Sequence, residues 1–66
     1  MLLSAVASLP PTQREVLVLR DIEGVPAQEA CSMLAIGDAN QRVLLHRARS
    51  RVRRAIEDYY RATEPT

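Results

Sequence analysis

The stretch from residue 37 to residue 62, GDANQRVLLHRARSRVRRAIEDYYRA, constrains the fold more than any other part of the chain. At about 100° per residue, a helix over this stretch sorts its side chains onto separate faces. One face is mostly apolar and carries Gln41, Leu45, Ala48, Val52, Ala55, Ile56 and Tyr59. Another stripe is basic and carries Arg42, His46, Arg49 and Arg53, flanked by Val43, Arg47 and Arg54. The sequence therefore predicts one long helix whose apolar side needs cover and whose basic side is free to meet a negative partner.

Charge is distributed unevenly along the chain, although the 66 residues carry a net charge of only +1. Residues 1–37 have a net charge of −2, whereas residues 38–61 have a net charge of +4. Such an asymmetry between halves is typical of a chain that meets a polyanion or an acidic partner. All nine basic residues are arginine, and the guanidinium fork pairs with phosphates and with guanine edges.

The composition argues against several functional classes. A single cysteine excludes an internal disulfide, and no clustered Cys/His set indicates a metal site. No apolar run approaches the ~20 residues of a membrane span, and the N-terminus is too short and uncharged for a convincing signal peptide. The carboxylates are scattered and His46 has no triad partner, so nothing favours acid/base catalysis. We therefore expect a cytoplasmic protein that is not an enzyme and that uses no cofactor, metal or membrane.

Two shorter helices are predicted before residue 25. The first covers residues 2–9 and ends at the helix-breaking pair Pro10-Pro11. The second runs from about Pro11 to Glu23, with Gly24 at the left-handed position that follows many helices. We expect the apolar positions of both to face a core, and these are Leu2, Ala5, Val6, Leu9, Val16, Leu17, Leu19 and Ile22. We expect the polar positions of the second to face water, and these are Gln13, Arg14, Asp21 and Glu23.

A third short helix is predicted from about Pro26 to Leu34, followed by a tight connection at residues 35–37. Its inner face is Ala27, Ala30, Cys31 and Leu34. Two starts are open for the long helix: Asp38 as N-cap in a capping box with Gln41, or Gly37 as cap with Asp38 at the positive helix end. At the other end, one of the two adjacent tyrosines is expected to pack on the core, and residues 63–66 are expected to fray.

The predicted fold class is all-α, a three- to four-helix bundle over residues 1–62 that contains a helix-turn-helix with a long C-terminal recognition helix. In this motif the second helix enters the DNA major groove by its N-terminal end. Arg42, Val43, His46 and Arg47 occupy that end, roughly opposite the core face.

Three segments, LPPTQREVLVLRDIEG, VPAQEACSMLAI and NQRVLLHRARSRVRRAI, together resemble region 4 of the extracytoplasmic-function group of bacterial sigma factors over about residues 8–56. The resemblance implies recognition of the promoter −35 element in duplex DNA, docking on the RNA polymerase β-subunit flap, and capture by an anti-sigma factor. It also implies that the chain is a fragment of a longer protein whose region 2 is missing. The DNA-contacting positions that it implies are Arg20, Asn40, Arg42, Val43, His46 and Arg47.

The chain departs from the common family pattern in four places. Pro26 replaces a capping Ser or Thr, Ala35 replaces a turn glycine, and Gln41 replaces an apolar Val or Ile. Val43 and Leu44 stand where small polar and basic residues are common. A thymine methyl group is one plausible partner for Val43, and an apolar anti-sigma surface is another.

Two rival interpretations stay open at this stage. One is a DNA-binding domain of the response-regulator type, which shares the REVLxL opening but not the LHRARxRVR close. The other is a protein-interaction module in which exposed Val43 and Leu44 bind another protein, anti-sigma capture being one form of it.

Overall fold

The structure is a computed structural model that describes residues 2–63, with side chains described from Ser4 onward. Its elements are α1 (Leu2–Ala7), α2 (Pro11–Leu17), a π-helical turn (Val18–Ile22) that continues α2, α3 (Ala27–Leu34) and α4 (Asp38–Thr63). Residues 2–63 contain no strand, which confirms the all-α prediction. Thr63, the first residue of the predicted frayed tail, is the last residue of α4. Residues 64–66 lie outside the described residues, as does the side chain of Leu2, which was expected to face the core.

The core lies where α1 and α2 cover one face of α4. It contains Val6 and Leu9 from the N-terminal segment, Val16 and Leu17 from α2, and Leu45 and Ala48 from α4. Leu34, Ile36, Leu44 and Val52 pack around these residues. The predicted inward face of α4 is confirmed at Gln41, Leu45 and Ala48, which are 1%, 5% and 0% exposed.

The far end of α4 extends beyond this core. The molecule measures 47 × 19 × 17 Å, and a 26-residue helix is about 39 Å long by its rise per residue. Tyr59 and Tyr60 are 49% and 59% exposed, so the expectation that one ring packs on the core is wrong. The two rings contact each other edge to face, 5.6 Å between centroids.

The predicted helix boundaries at Pro10-Pro11, Gly24 and Gly37 are confirmed. Pro11 occupies the first turn of α2, where its missing N–H costs nothing, and Gly24 adopts a left-handed φ of 71°. The Gln41 N–H donates to the Gly37 carbonyl at 2.9 Å, which makes Gly37 the cap of α4. The capping box with Asp38 does not form, because the Gln41 side chain is buried and bonded elsewhere.

The π-helical turn explains why the expectation for Ile22 is wrong. The Glu23 N–H donates to the Val18 carbonyl five residues back at 2.8 Å, and the Val25 N–H donates to the Leu19 carbonyl at 2.8 Å. Each residue of a π turn advances by a smaller angle than in an α-helix, so an apolar position predicted at α-helical spacing rotates off the core face. Leu19 is still buried, but Ile22 is 61% exposed.

The expectation that Gln13 faces water is also wrong, because this side chain is only 8% exposed. Gln13 precedes Val16 by three residues and Leu17 by four, so helical geometry puts all three on the same face. Its Oε1 atom is buried without a hydrogen-bond partner within the described residues.

Candidate nucleic-acid interface

A tight turn sets the direction in which α4 leaves α3. Ala35 adopts the left-handed conformation, with φ 54° and ψ 46°, and the Ile36 N–H donates to the Cys31 carbonyl at 3.0 Å. This is the hydrogen bond that closes a Schellman-type helix end. Alanine therefore makes the turn at the position where the similar sigma-factor regions often have glycine, at a steric cost of about 1–2 kcal/mol.

Five of the six predicted DNA-contacting residues lie on the solvent-facing side of the first three turns of α4. Their side chains are exposed, and they are Asn40, Arg42, Val43, His46 and Arg47. The structure thus presents them together as one surface. Leu44, by contrast, is half-buried and packs against the core, so the protein-interaction interpretation loses one of its two exposed residues and keeps Val43, at 45% exposure.

Arg42 is held only loosely in the free protein. Its Nη2 lies 2.8 Å from Asp38 Oδ2, and the two side chains are 77% and 53% exposed. An exposed ion pair at this helical spacing contributes only about 0.3–0.5 kcal/mol. The guanidinium can therefore leave Asp38 for a base edge or a phosphate at little cost.

Arg20, the sixth predicted residue, has a different setting. It is half-buried, and its Nε donates to Gln41 Oε1 at 2.9 Å while its Nη1 donates to the Val25 carbonyl at 3.0 Å. The guanidinium therefore lies against the first turn of α4, where Gln41 is. The sequence pattern did not predict this contact, because it joins residues 21 positions apart.

A second polar contact joins the π-helical turn to α4. Arg49 Nε donates to Asp21 Oδ2 at 2.8 Å, and Arg49 Nη2 donates to Asp21 Oδ1 at 2.6 Å. These hydrogen bonds hold the pKa of the Asp21 carboxyl below its usual value, although partial burial opposes the shift, and they raise the pKa of Arg49. Arg49, which was predicted to belong to the basic stripe, therefore pairs with an acidic side chain of the same protein.

The remaining arginines of α4 form a surface with an excess of positive charge. Within residues 2–63, the arginines of α4 that form ion pairs are Arg42, Arg49 and Arg61. Those without an ion pair border a shallow depression that also contains His46, Ser50, Glu57 and Gln13, and they are Arg47, Arg51, Arg53 and Arg54. A surface of this kind can neutralise several phosphates along a nucleic-acid backbone.

Comparison with known proteins decides the family. The sequence profile described as Sigma-70, region 4 matches residues 1–52. The chain belongs to the sigma-70 region 4 family. This region 4 chain is 46% identical over 52 residues to the ECF RNA polymerase sigma factor ShbA of Streptomyces griseus subsp. griseus, an alignment that covers 79% of the chain and 27% of ShbA. No solved structure matches it significantly.

The region 4 chain therefore spans about a quarter of the length of the curated relative that it matches. The family match confirms the resemblance stated above and favours it over the response-regulator interpretation. Within residues 2–63, no group of three His, Cys, Asp or Glu side chains is placed to hold a metal ion. No helix in the same range has the length and apolar character that crossing a bilayer requires.

Proposed function

We propose that this chain is the DNA-binding region 4 of an ECF sigma factor and that it directs RNA polymerase to promoters by binding the −35 element. The observation that carries the proposal is the exposed surface formed by Asn40, Arg42, Val43, His46 and Arg47, with the opposite side of the same turns buried in the core. A helix whose opposite face packs on the core in this way can enter the major groove, which is about 12 Å wide, by its N-terminal end.

The residues of this surface divide by chemistry. The side chains of Asn40 and Arg42 carry donors that suit base edges, and the apolar Val43 suits a thymine methyl group. Arg47, Arg51 and Arg54 lie progressively further along α4 and suit backbone phosphates, which position a protein on DNA without specifying sequence. This work requires neither catalysis nor a cofactor, and it takes place in the bacterial cytoplasm, where promoter DNA is found.

A second surface suits a protein partner. Val18 and Leu19 of the π-helical turn and Met33 and Leu34 of α3 border an apolar depression, and Met33 is 59% exposed. An apolar depression with an exposed methionine at its border offers a protein partner apolar surface to bury. We assign this depression to the RNA polymerase β-subunit flap. An anti-sigma factor would inhibit by covering either this depression or the DNA surface at Val43.

Selection from a randomised duplex library, with the chain bound to RNA polymerase core enzyme, tests the proposal. We expect enrichment of one short motif and binding that weakens steeply with added salt. Recovery of no motif would contradict −35 recognition. If polymerase or an inhibitor were captured while duplex DNA was not, the chain would instead be a protein-interaction module.

The Met33→Gln variant tests the polymerase surface separately. Met33 borders the apolar depression and not the arginine-lined surface of α4. This variant should therefore lose polymerase capture in a pull-down and keep its affinity for duplex DNA. Met33→Leu, which keeps the apolar surface, is the matched control. Equal capture by both variants would place the polymerase contact elsewhere.

A further inference from the structure

Gln41 is the most deeply buried polar residue described in the chain. It is 1% exposed and lies on the core face of α4, at a position where the family commonly has Val or Ile. A buried carboxamide is costly unless its polar atoms are paired. Its oxygen is paired by the Arg20 Nε–H at 2.9 Å. A polar residue at this position therefore has a specific partner and is not a tolerated irregularity.

The Arg20 guanidinium is fixed at two of its three nitrogen atoms. Nε is bound by Gln41 and Nη1 by the Val25 carbonyl at 3.0 Å, whereas Nη2 makes no hydrogen bond within residues 2–63. Arg20 as a whole residue is half-buried, so its side chain is partly open to solvent. Because Gln41 lies in the first turn of α4, the Arg20 guanidinium is beside the end of α4 that enters a DNA groove in helix-turn-helix proteins.

We propose that Gln41 is a positioning residue for DNA binding. Its carboxamide oxygen holds the Arg20 guanidinium so that the unengaged N–H groups meet a backbone phosphate beside the first turn of α4. This inference rests on the proposed function, since it needs duplex DNA as the ligand. It adds a role for a residue that contacts no DNA itself.

Preorganisation supplies the physical reason. A free arginine side chain loses considerable rotamer freedom when it binds a phosphate, and a planar guanidinium held in place loses less for each hydrogen bond formed. The contact with phosphate is charge-assisted and so is sensitive to geometry. We expect loss of the Gln41 oxygen to weaken duplex binding about three- to tenfold, the range that follows from the entropy cost of immobilising one rotamer-rich side chain on binding.

The test uses Gln41→Met, Arg20→Met and the double variant of the full chain. The probe is a fluorescein-labelled duplex of about 20 base pairs and mixed sequence, and anisotropy is followed from low to moderate NaCl. Each phosphate contact contributes about −0.9 to the slope of log K against log salt. Methionine is close to glutamine in size and lacks the acceptor. The double variant removes both members of the Arg20–Gln41 hydrogen bond, so it leaves neither the Gln41 oxygen nor the Arg20 Nε without its partner, and it is the safeguard where a single variant is destabilised.

Our proposal predicts that Gln41→Met, which removes no charge, makes the salt slope shallower by about 0.9, as Arg20→Met does. The double variant should match Arg20→Met alone. Arg61→Met, which removes a distant exposed charge on α4, should leave the slope unchanged.

If Gln41→Met keeps the wild-type slope of log K against log salt, even with weaker binding, then Gln41 has only a structural role and the inference is overturned. Additive effects of the two substitutions on the slope would overturn it as well. Duplex binding by the wild-type chain that does not depend on salt would instead overturn the proposed function.

Discussion

Replacing Arg42 with alanine should separate sequence reading from general attraction to DNA. Arg42 lies in the first turns of α4 on the exposed surface, and only an exposed ion pair with Asp38 holds it. In the −35 complex its forked guanidinium suits a guanine edge, so Arg42→Ala should reduce discrimination at one or two base pairs.

The magnitude follows from two terms. A bidentate contact between a side chain and a base contributes about 1–3 kcal/mol of discrimination, or roughly 5- to 150-fold in relative affinity. The Asp38 pair must first be broken, at a cost of about 0.3–0.5 kcal/mol, which lowers the expected effect only slightly. Because both partners are exposed, Arg42→Ala should change the free energy of unfolding by no more than about 0.5 kcal/mol.

Arg54 provides the matched control. It is the same residue type on the same helix, is exposed, and makes no ion pair within the described residues. Twelve residues separate it from Arg42, about 18 Å along the helix axis. This distance exceeds the width of the major groove, so Arg54 is placed for phosphates. Arg54→Ala should weaken binding to all sequences alike and make the salt slope shallower by about 0.9.

Binding-site selection on duplex DNA, followed by competition between selected and scrambled duplexes at fixed salt, measures both variants. Equal weakening by Arg42→Ala on every duplex would make Arg42 a phosphate contact and refute the assignment of base reading. A change of preferred sequence in Arg54→Ala would show that α4 is oriented differently in the groove.

Three further substitutions test the folded state by thermal or denaturant unfolding. Asp21→Asn should destabilise the chain by about 0.5–1 kcal/mol near neutral pH, since an exposed pair with Arg49 contributes little more. Because the pKa of Asp21 is lowered in the folded state, this contribution is present above the ordinary value of 3.8 and is lost as pH falls through the lower folded value. A difference in stability between Asp21→Asn and the wild type that persisted in strong acid would contradict the ion-pair explanation. Ala35→Gly should raise stability by about 0.5–1 kcal/mol, because relief of the left-handed strain exceeds the entropy cost of glycine, and a loss of stability would show that the turn is unstrained. Gln13→Leu should stabilise the chain by about 1–3 kcal/mol, because the buried oxygen has no partner within the described residues. A neutral or negative result would contradict this explanation.

Much of the site could be predicted from the sequence because it depends on local periodicity. The 3.6-residue spacing in residues 37–62 places Leu45 and Ala48 inward and Asn40, Val43 and Arg47 outward. The proline pair at Pro10-Pro11 and the glycine at Gly24 fix helix ends through backbone constraints that act within a few residues. The assignment of DNA contacts to the outward residues remains a prediction, although the structure gathers five of them on one surface.

Tertiary structure decided what periodicity could not. The π-helical turn rotates Ile22 to the surface, and it brings neighbouring Arg20 and Asp21 to two separate points on α4, at Gln41 and Arg49. Residues 21 and 28 positions apart carry no mutual signal in a single sequence, since their meeting depends on how α2 and α4 cross. Local spacing thus determined which side of each helix faces inward, whereas the packing of one helix against another determined which polar groups are paired and which arginines remain available for a negatively charged partner.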